Sequence, residues 1–149
     1  MENVVKVLFV CTGNTCRSPM AEYYFNSEIK KNGGKSAVAG SCGLFANPGE
    51  PMSKNALEVL ASKNIAGGEH RSRQIDTDVV KNSDLVCAVT SRHEARLKQR
   101  FPEFAEKISA MAEEIGDPFG GSLESYERCF ESIQKSVDII IKSLSEGNV

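Results

Sequence analysis

The chain has 149 residues, of which 40% are hydrophobic and 26% are charged, and its formal net charge is −2. This size and composition are typical of one globular domain, here spanning residues 1–149, that buries a real core. The slightly negative charge gives no electrostatic case for binding to nucleic acid or to an anionic membrane. No apolar stretch reaches the roughly 18 residues that a membrane span needs, and no signal peptide is visible. The sequence therefore predicts a cytoplasmic monomer.

The cysteines give no sign of a disulfide framework or a metal centre. Their number is odd and their spacing irregular, which argues against a secreted disulfide-rich protein. The five are Cys11, Cys16, Cys42, Cys87 and Cys129. With only two histidines and no Cys-x-x-Cys pair, a zinc site is not expected. We predict no metal and no cofactor.

The most informative pattern is the run VVKVLFVCTGNTCRSPMAE near the N-terminus. Residues 4–10 are almost continuously apolar and rich in β-branched side chains, which is typical of a strand buried on both faces. The polar loop that follows contains Gly13 and Asn14, the two residue types that best tolerate positive φ. This pattern predicts a strand that ends in a tight loop.

A helix is predicted to follow that loop, over residues 18–31. Ser18 is a good N-cap, and Pro19 fits the first helical position. Glu22 would then lie in the first turn, where the helix dipole favours a carboxylate. The Asn-Gly-Gly sequence at residues 32–34 predicts the end of the helix.

A tight loop between a strand and a helix turns backbone N–H groups inward and forms a nest for an anion. The helix N-terminus adds positive potential at the same point, and Arg17 can supply a two-pronged donor to phosphate. Cys11 lies at the bottom of the nest, where positive surroundings favour a thiolate that can attack phosphorus. The spacing Cys11-x5-Arg17-Ser18 therefore predicts a phosphate-transferring cysteine site. The alternative is that Cys11 is a small hydrophobic residue at a strand end.

The remaining elements alternate along the chain. Further strands are predicted at residues 37–40, 85–89 and 107–111, and further helices at residues 53–63, 76–82, 91–100 and from residue 122 onward. Alternating strands and helices imply right-handed crossovers and a parallel α/β sheet. The last helix carries an apolar stripe, and packing on the sheet is a better explanation for it than a coiled-coil seam.

Residues 41–49 are a loop by composition and leave the second strand at its carboxyl end, where the Cys11 loop also lies. Leu44 and Phe45 can then wall one side of the site, although Phe45 can equally be a core residue. His93 lies on the charged face of the helix at residues 91–100. We predict that its side chain is solvated.

The motif CTGNTCRSPMAE resembles the signature loop of the low-molecular-weight protein tyrosine phosphatases, and the resemblance extends along essentially the whole chain. Thr15 and the Phe119-Gly120-Gly121 sequence are most similar to the bacterial protein arginine phosphatases. Tyrosine-directed members of that family usually carry an aliphatic residue at the position of Thr15 and a tyrosine at the position of Phe119. The resemblance implies a four-stranded sheet in the order 2-1-3-4, with helices on both faces. It also implies that His70 supports the phosphate loop through neighbouring side chains.

The resemblance further implies a reaction through a phosphocysteine at Cys11, with Arg17 holding the phosphoryl group and Asp117 acting as general acid. By residue type alone, the Asp117-Pro118 pair is ordinary turn chemistry. The substrate-binding residues are expected to be Thr12, Gly13, Asn14, Thr15, Cys16, Ser18, Leu44, Phe45 and Phe119.

The sequence thus predicts a metal-independent phosphatase that hydrolyses phosphoarginine on protein substrates. Three alternatives stay open: a tyrosine phosphatase of the same family, an arsenate reductase, and a non-catalytic module that recruits phosphoproteins. An arsenate reductase needs a relay of cysteines, and Cys87 has no partner a few residues on. A separate hypothesis is that Cys16 captures an oxidised Cys11 as a disulfide; the alternative is that Cys16 is merely a small loop residue.

Overall fold

A computed structural model describes residues 4–34 and 36–147. These residues form one α/β domain around a four-stranded, entirely parallel sheet in the order β2-β1-β3-β4. The predicted fold and strand order are therefore confirmed. The strands are β1 (Val5–Cys11), β2 (Ala37–Gly43), β3 (Leu85–Ala88) and β4 (Ile108–Ala110).

The helices lie close to their predicted positions. A short 3₁₀ helix, Pro102–Lys107, also precedes β4. The α-helices are α1 (Arg17–Lys31), α2 (Lys54–Ser62), α3 (Thr77–Lys81), α4 (Ser91–Arg100) and α5 (Leu123–Ser145). Side-chain caps fix three of their N-termini, because Asp76, Thr90 and Ser122 each accept a hydrogen bond from a first-turn backbone N–H.

The core is divided into two layers by the alternation of side chains along β1. Val7 and Phe9 point into one layer, which is covered by α1, α2 and α5. Leu8 and Val10 point into the other, which contains side chains of α3, α4 and the 3₁₀ helix. Because β1 supplies side chains to both layers, it is the centre of the domain. Burial of each such side chain contributes about 1.5–3 kcal/mol to folding.

The apolar stripe of α5 packs on the same side of the sheet as α1 and α2. Tyr126, Phe130, Ile133 and Val137 form its buried face. Leu123, at the start of the stripe, is 40% exposed instead. This arrangement agrees with the prediction that the stripe packs within an α/β domain and does not form a coiled-coil seam.

Strand β2 extends three residues beyond its predicted end. Its last residue, Gly43, pairs with Cys11, the last residue of β1. The polar composition of residues 41–43 predicted a loop, but ladder pairing with the buried β1 overrides that local signal. A Cβ atom at Gly43 would lie 2.4 Å from the Thr12 carbonyl oxygen, so the small residue permits this close approach.

The start of α1 corrects the predicted roles of three residues. The N-cap is Cys16, which makes no side-chain cap bond, so Ser18 is the second helical residue and not the cap. Pro19 is consequently the third helical residue, and Glu22 lies beyond the first turn. The physical reason is that the Ser18 hydroxyl is hydrogen-bonded to the Cys11 sulfur and is therefore not available to cap the helix. The predicted end of the helix is confirmed at Asn32.

No helix within residues 4–34 and 36–147 is long and apolar enough to cross a lipid bilayer.

Candidate active site

The segment from Cys11 to Ser18, termed the phosphate loop, joins the end of β1 to the first turn of α1. Asn14 adopts the left-handed conformation at a φ of 60°, whereas Gly13, predicted to share it, has no positive φ. Among the described residues, the backbone N–H groups of Gly13, Thr15 and Cys16 find no intramolecular acceptor. Free N–H groups beside a helix N-terminus form a binding site for an anion.

The sulfur of Cys11 lies at the base of this loop. The whole residue is buried, with only 3% of its surface exposed. It is 2.9 Å from the Ser18 hydroxyl and accepts a hydrogen bond of 3.3 Å from the Asn14 backbone N–H. Asn14 Nδ2 also donates to the Ser18 oxygen at 2.8 Å. The proton of that hydroxyl can therefore be directed at the Cys11 sulfur, 2.9 Å away, or at the more distant Cys42 carbonyl oxygen at 3.4 Å. Two donors directed at one sulfur stabilise a thiolate.

The conformation of the phosphate loop is fixed from behind through Asn14. Its amide donates a second hydrogen bond to the Ser41 hydroxyl at 2.9 Å and accepts one from the Arg73 backbone N–H at 2.9 Å. The Asn14 carbonyl oxygen is bonded to His70 Nε2 at 2.8 Å. The prediction that His70 acts through neighbouring side chains is therefore wrong, because its ring reaches the loop backbone directly.

A second layer of hydrogen bonds lies behind the first. The Ser41 hydroxyl donates to the Glu22 carboxylate at 2.6 Å. Burial raises the pKa of Glu22 above its ordinary value, although the bond from Ser41 opposes the shift. Burial also lowers the pKa of His70, which favours the neutral ring with its proton on Nε2, facing the Asn14 carbonyl.

Arg17 connects the phosphate loop to the segment that carries Asp117. The guanidinium is buried, and its Nη1 donates to the Ile115 carbonyl oxygen at 2.9 Å. Its Nη2 lies 3.8 Å from an oxygen of the Asp117 carboxylate, whose side chain is 56% exposed. The other carboxylate oxygen accepts a hydrogen bond from the Phe119 backbone N–H at 3.0 Å. The carboxylate is thus held beside Arg17 while remaining open to solvent.

Two adjoining clefts open above the loop. The inner cleft has a volume of about 210 Å³ and is lined by residues 11–17 together with Asp117 and Phe119. The outer cleft has a volume of about 480 Å³ and shares Thr12, Arg17 and Asp117 with the inner one. All the predicted site residues line one of these clefts except Ser18, which is fully buried at the end of the loop.

Leu44 and Phe45 play different parts in the outer cleft. Leu44 is 4% exposed and belongs to the core layer below. Phe45 is 66% exposed, so the alternative that it is a core residue is wrong. Its ring stands at the cleft wall, with the Arg96 guanidinium 5.7 Å from the ring centroid.

His93 lines the outer cleft, and the prediction that it is solvated is wrong. Its Nε2 lies 2.8 Å from the Thr12 hydroxyl and its Nδ1 lies 2.6 Å from the Thr90 hydroxyl. Two effects lower the pKa of the His93 ring. Burial is the larger effect, and the positive charge of Arg17 is the next. Because Thr12 is 81 residues away in sequence, the local pattern of α4 could not show this contact. The position of Thr90 just beyond β3, at the carboxyl edge of the sheet, was the one available signal.

A sequence model of the low molecular weight phosphotyrosine protein phosphatase family matches residues 6–148. The chain belongs to this family. It is 33% identical to a protein-arginine-phosphatase of Bacillus subtilis, over 94% of this chain and 97% of the relative. It is 36% identical to a protein-arginine-phosphatase of Geobacillus stearothermophilus, over 93% and 95%. It is also 35% identical to the low molecular weight protein-tyrosine-phosphatase PtpB of Staphylococcus haemolyticus, over 87% and 92%.

Solved structures of the family share the fold. A low molecular weight protein tyrosine phosphatase from T. tengcongensis has a TM-score of 0.89 and 39% identity, covering 93% of this chain and 99% of its own. A YwlE arginine phosphatase has a TM-score of 0.89 and 31% identity, covering 95% and 96%. That structure is a cysteine-to-serine mutant with a phosphorylated active-site serine.

Family membership confirms the predicted class of enzyme, a protein phosphatase acting on phosphoarginine or phosphotyrosine. It leaves the choice between these two substrates open, because named relatives of both kinds have similar identities to this chain. Within residues 4–34 and 36–147, no group of three or more His, Cys, Asp or Glu side chains could hold a metal ion.

The environment of Cys16 bears on the hypothesis of redox control in this phosphatase. The Cys16 thiol is buried and contacts the Ser53 hydroxyl at 3.3 Å and the Tyr126 hydroxyl at 3.4 Å. A disulfide with Cys11 therefore requires this thiol to leave both hydroxyl groups. Burial raises the pKa of the Cys42 and Cys129 thiols to about 12, which makes those two cysteines poor competitors for an oxidised Cys11.

Mild peroxide is expected to inactivate the enzyme, and added thiol is expected to restore it. Peroxide would convert the Cys11 thiolate to a sulfenic acid, and the Cys16 thiol would then displace water to form the disulfide. The measurement is activity before and after reduction, with peptide mapping of the oxidised protein. Replacement of Cys16 by serine should make the loss irreversible as peroxide oxidises the uncaptured sulfenic acid at Cys11 further to a sulfinic acid, whereas replacement of the buried Cys87 should not. A map without a Cys11–Cys16 link would contradict this hypothesis.

Proposed function

We propose that this phosphatase hydrolyses phosphoarginine on proteins through a phosphocysteine formed at Cys11. The observation that carries the substrate assignment is Thr15, which lines the inner cleft together with Asp117 and Phe119. The similarity to two protein-arginine-phosphatases along almost their whole length supports the assignment. The similar identity to a protein-tyrosine-phosphatase keeps hydrolysis of phosphotyrosine as the second candidate.

In the first step, the Cys11 thiolate attacks phosphorus, a sulfur–phosphorus bond forms and the bond to the leaving nitrogen breaks. The backbone N–H groups of the phosphate loop and the Arg17 guanidinium hold the charge on the three other phosphoryl oxygens. Asp117 transfers a proton to the departing guanidine nitrogen and becomes a carboxylate. The dephosphorylated arginine side chain then leaves the cleft.

In the second step, the Asp117 carboxylate takes a proton from a water molecule as that water attacks the phosphocysteine. Inorganic phosphate leaves, and the Cys11 thiolate is regenerated beside the Ser18 hydroxyl and the Asn14 N–H. These two donors favour the thiolate as leaving group. The phosphorylated serine that replaces the active-site cysteine in the YwlE mutant supports covalent transfer at the equivalent position here.

Thr15 supports phosphoarginine over phosphotyrosine because of the chemistry that it presents. Its backbone carbonyl accepts a hydrogen bond from the Ser53 N–H at 3.0 Å, which holds the residue in place. A threonine hydroxyl can bond a guanidinium N–H or the attacking water. An aliphatic side chain of similar volume offers only apolar surface, which suits a phenyl ring. The exposed ring of Phe119 can flank the planar guanidinium.

The environment of Cys87 disfavours the arsenate reductase alternative. A relay needs an accessible thiol that can reach the first cysteine, but Cys87 is 1% exposed within β3. Burial raises the pKa of its thiol to about 12, so the nucleophilic thiolate is disfavoured.

Replacement of Thr15 by isoleucine is expected to lower kcat/KM on phosphoarginine peptides and to raise it on phosphotyrosine peptides. The substitution removes the hydroxyl and adds apolar surface at the inner cleft. We expect the ratio of the two specificity constants to change by at least roughly tenfold, since a buried polar group that loses its partner costs about 1–3 kcal/mol.

Thr15→Val is the matched variant, because valine keeps the shape of threonine and removes only the hydroxyl. If the hydroxyl sets the preference, Thr15→Val should lose phosphoarginine activity without the gain on phosphotyrosine that the larger isoleucine gives. Identical ratios in the parent enzyme and both variants would show that Thr15 does not control selectivity.

A further inference from the structure

The outer cleft contains two cationic side chains that the phosphatase reaction does not use. Arg92 and Arg96 lie one turn apart on α4, both are exposed, and both line this cleft. Among the described residues, neither forms an ion pair or a hydrogen bond with an acidic side chain. The acidic residue between them, Glu94, is engaged with Lys98 at 3.0 Å.

Arg96 is held at a defined position relative to the phosphate loop. Its guanidinium lies over the Phe45 ring, 5.7 Å from the centroid. The Phe45 backbone N–H donates to the Thr12 carbonyl oxygen at 2.9 Å, and the neighbouring Leu44 N–H donates to the Cys11 carbonyl oxygen at 2.9 Å. A guanidinium stacked on a ring keeps its N–H edges free for a carboxylate.

Two acidic residues also line the outer cleft, and each is held by a partner other than Arg92 and Arg96. Glu114 accepts hydrogen bonds from the Ser91 backbone N–H at 2.9 Å and from the Ser91 hydroxyl. Asp117 lies beside Arg17, which the proposed reaction assigns to the phosphoryl group. His93 also lines the cleft, and its pKa is lowered, first by burial and then by the charge of Arg17, which favours the neutral ring. Three arginines, Arg17, Arg92 and Arg96, stand against these two carboxylates, so the lining of the outer cleft carries a net positive charge.

We propose that Arg92 and Arg96 form a subsite for an acidic side chain next to the phosphorylated residue of the protein substrate. This inference rests on the proposed function, because it places the phosphorylated residue in the inner cleft. The outer cleft, at about 480 Å³, lies within the size range of binding sites for small ligands. It can accordingly hold a flanking side chain while Thr12 and Arg17, which border both clefts, contact the phosphoryl group.

The expected effect is a preference in kcat/KM for acidic over neutral flanking residues of about three- to tenfold, the size that one or two solvent-exposed ion pairs supply. The preference should decrease as salt is added, because exposed charges are screened. It should be greatest for substrates with Glu or Asp on both sides of the phosphorylated residue.

The test compares phosphopeptides that differ only in the two flanking residues, with Glu, Gln or Lys at both positions. Glu and Gln have the same shape, so their ratio of kcat/KM measures charge alone. The peptides are prepared with phosphoarginine and, separately, with phosphotyrosine at the centre. If only the phosphotyrosine series is hydrolysed, the proposed substrate is wrong, yet the Glu-to-Gln ratio in that series still tests the subsite.

The decisive variants are Arg92→Gln, Arg96→Gln and the charge reversal Arg96→Glu. The two glutamine variants should each bring the Glu-to-Gln ratio toward one, and Arg96→Glu should raise the relative activity on the Lys-flanked peptide. Lys135→Gln is the control, since it removes one positive charge at an exposed residue of α5 that does not line the cleft and that, among the described residues, has no ion pair. A parent ratio of one, or a ratio that Lys135→Gln lowers as much as the arginine variants do, would overturn the proposal.

Discussion

Replacement of Cys11 by serine is expected to lower kcat on phosphoarginine peptides by roughly 10³-fold or more, as expected for loss of a covalent nucleophile. The serine hydroxyl is a much weaker nucleophile than a thiolate held by the Ser18 hydroxyl and the Asn14 N–H. Binding of inorganic phosphate should survive, because it depends on the loop N–H groups and on Arg17. Steady-state kinetics and calorimetric titration with phosphate measure the two effects separately.

Cys87→Ser provides the matched control for this variant. Cys87 is buried in β3 and lines neither the inner nor the outer cleft. Its replacement should leave kcat largely unchanged, although a hydroxyl in an apolar layer will lower the free energy of unfolding. If Cys11→Ser retained a substantial fraction of turnover while remaining folded, the covalent mechanism would be refuted.

Asp117→Asn is expected to give the second largest loss, about 10²- to 10⁴-fold in kcat on phosphoarginine peptides. Asparagine keeps the size of the side chain but cannot donate a proton as an acid. The loss should depend on the leaving group. Guanidine, whose conjugate acid has a pKa above about 12, needs protonation more than a phenol does, whose pKa is about 10.

An aryl phosphate with a strongly acidic phenol is the natural control substrate for that variant. Its leaving group departs without protonation, so Asp117→Asn should affect the first step much less. The measurement is kcat/KM for the parent and the variant on a series of aryl phosphates and on a phosphoarginine peptide. An equal loss on every substrate would indicate that Asp117 positions Arg17, 3.8 Å away, and does not act as the acid.

Predictability from sequence differs between local and non-local features. The buried β1, the polar loop after it and the stop of α1 at Asn32 follow from local chemistry, and all three are present. The capping role assigned to Ser18 was wrong because its hydroxyl is taken by Cys11, seven residues earlier. Local capping rules cannot register a competing partner on another element.

The same limit applies to the walls of the site. The composition of residues 41–43 favoured a loop, and only pairing with β1 makes them strand. His93 was predicted to be solvated because it lies on the charged face of α4. Its ring is instead hydrogen-bonded to the Thr12 and Thr90 hydroxyl groups at the outer cleft. Strand-end geometry predicts which segments meet at the carboxyl edge of the sheet. Which side chains touch there depends on packing between elements far apart in sequence.

The most direct test of the proposed function is a comparison of kcat/KM on phosphoarginine and phosphotyrosine in the same peptide, using one enzyme preparation. Phosphate release is followed for both peptides, with the Cys11→Ser variant as the blank. We expect a clear preference for phosphoarginine, because Thr15 offers a hydroxyl at the inner cleft. A parent enzyme that prefers phosphotyrosine would contradict it.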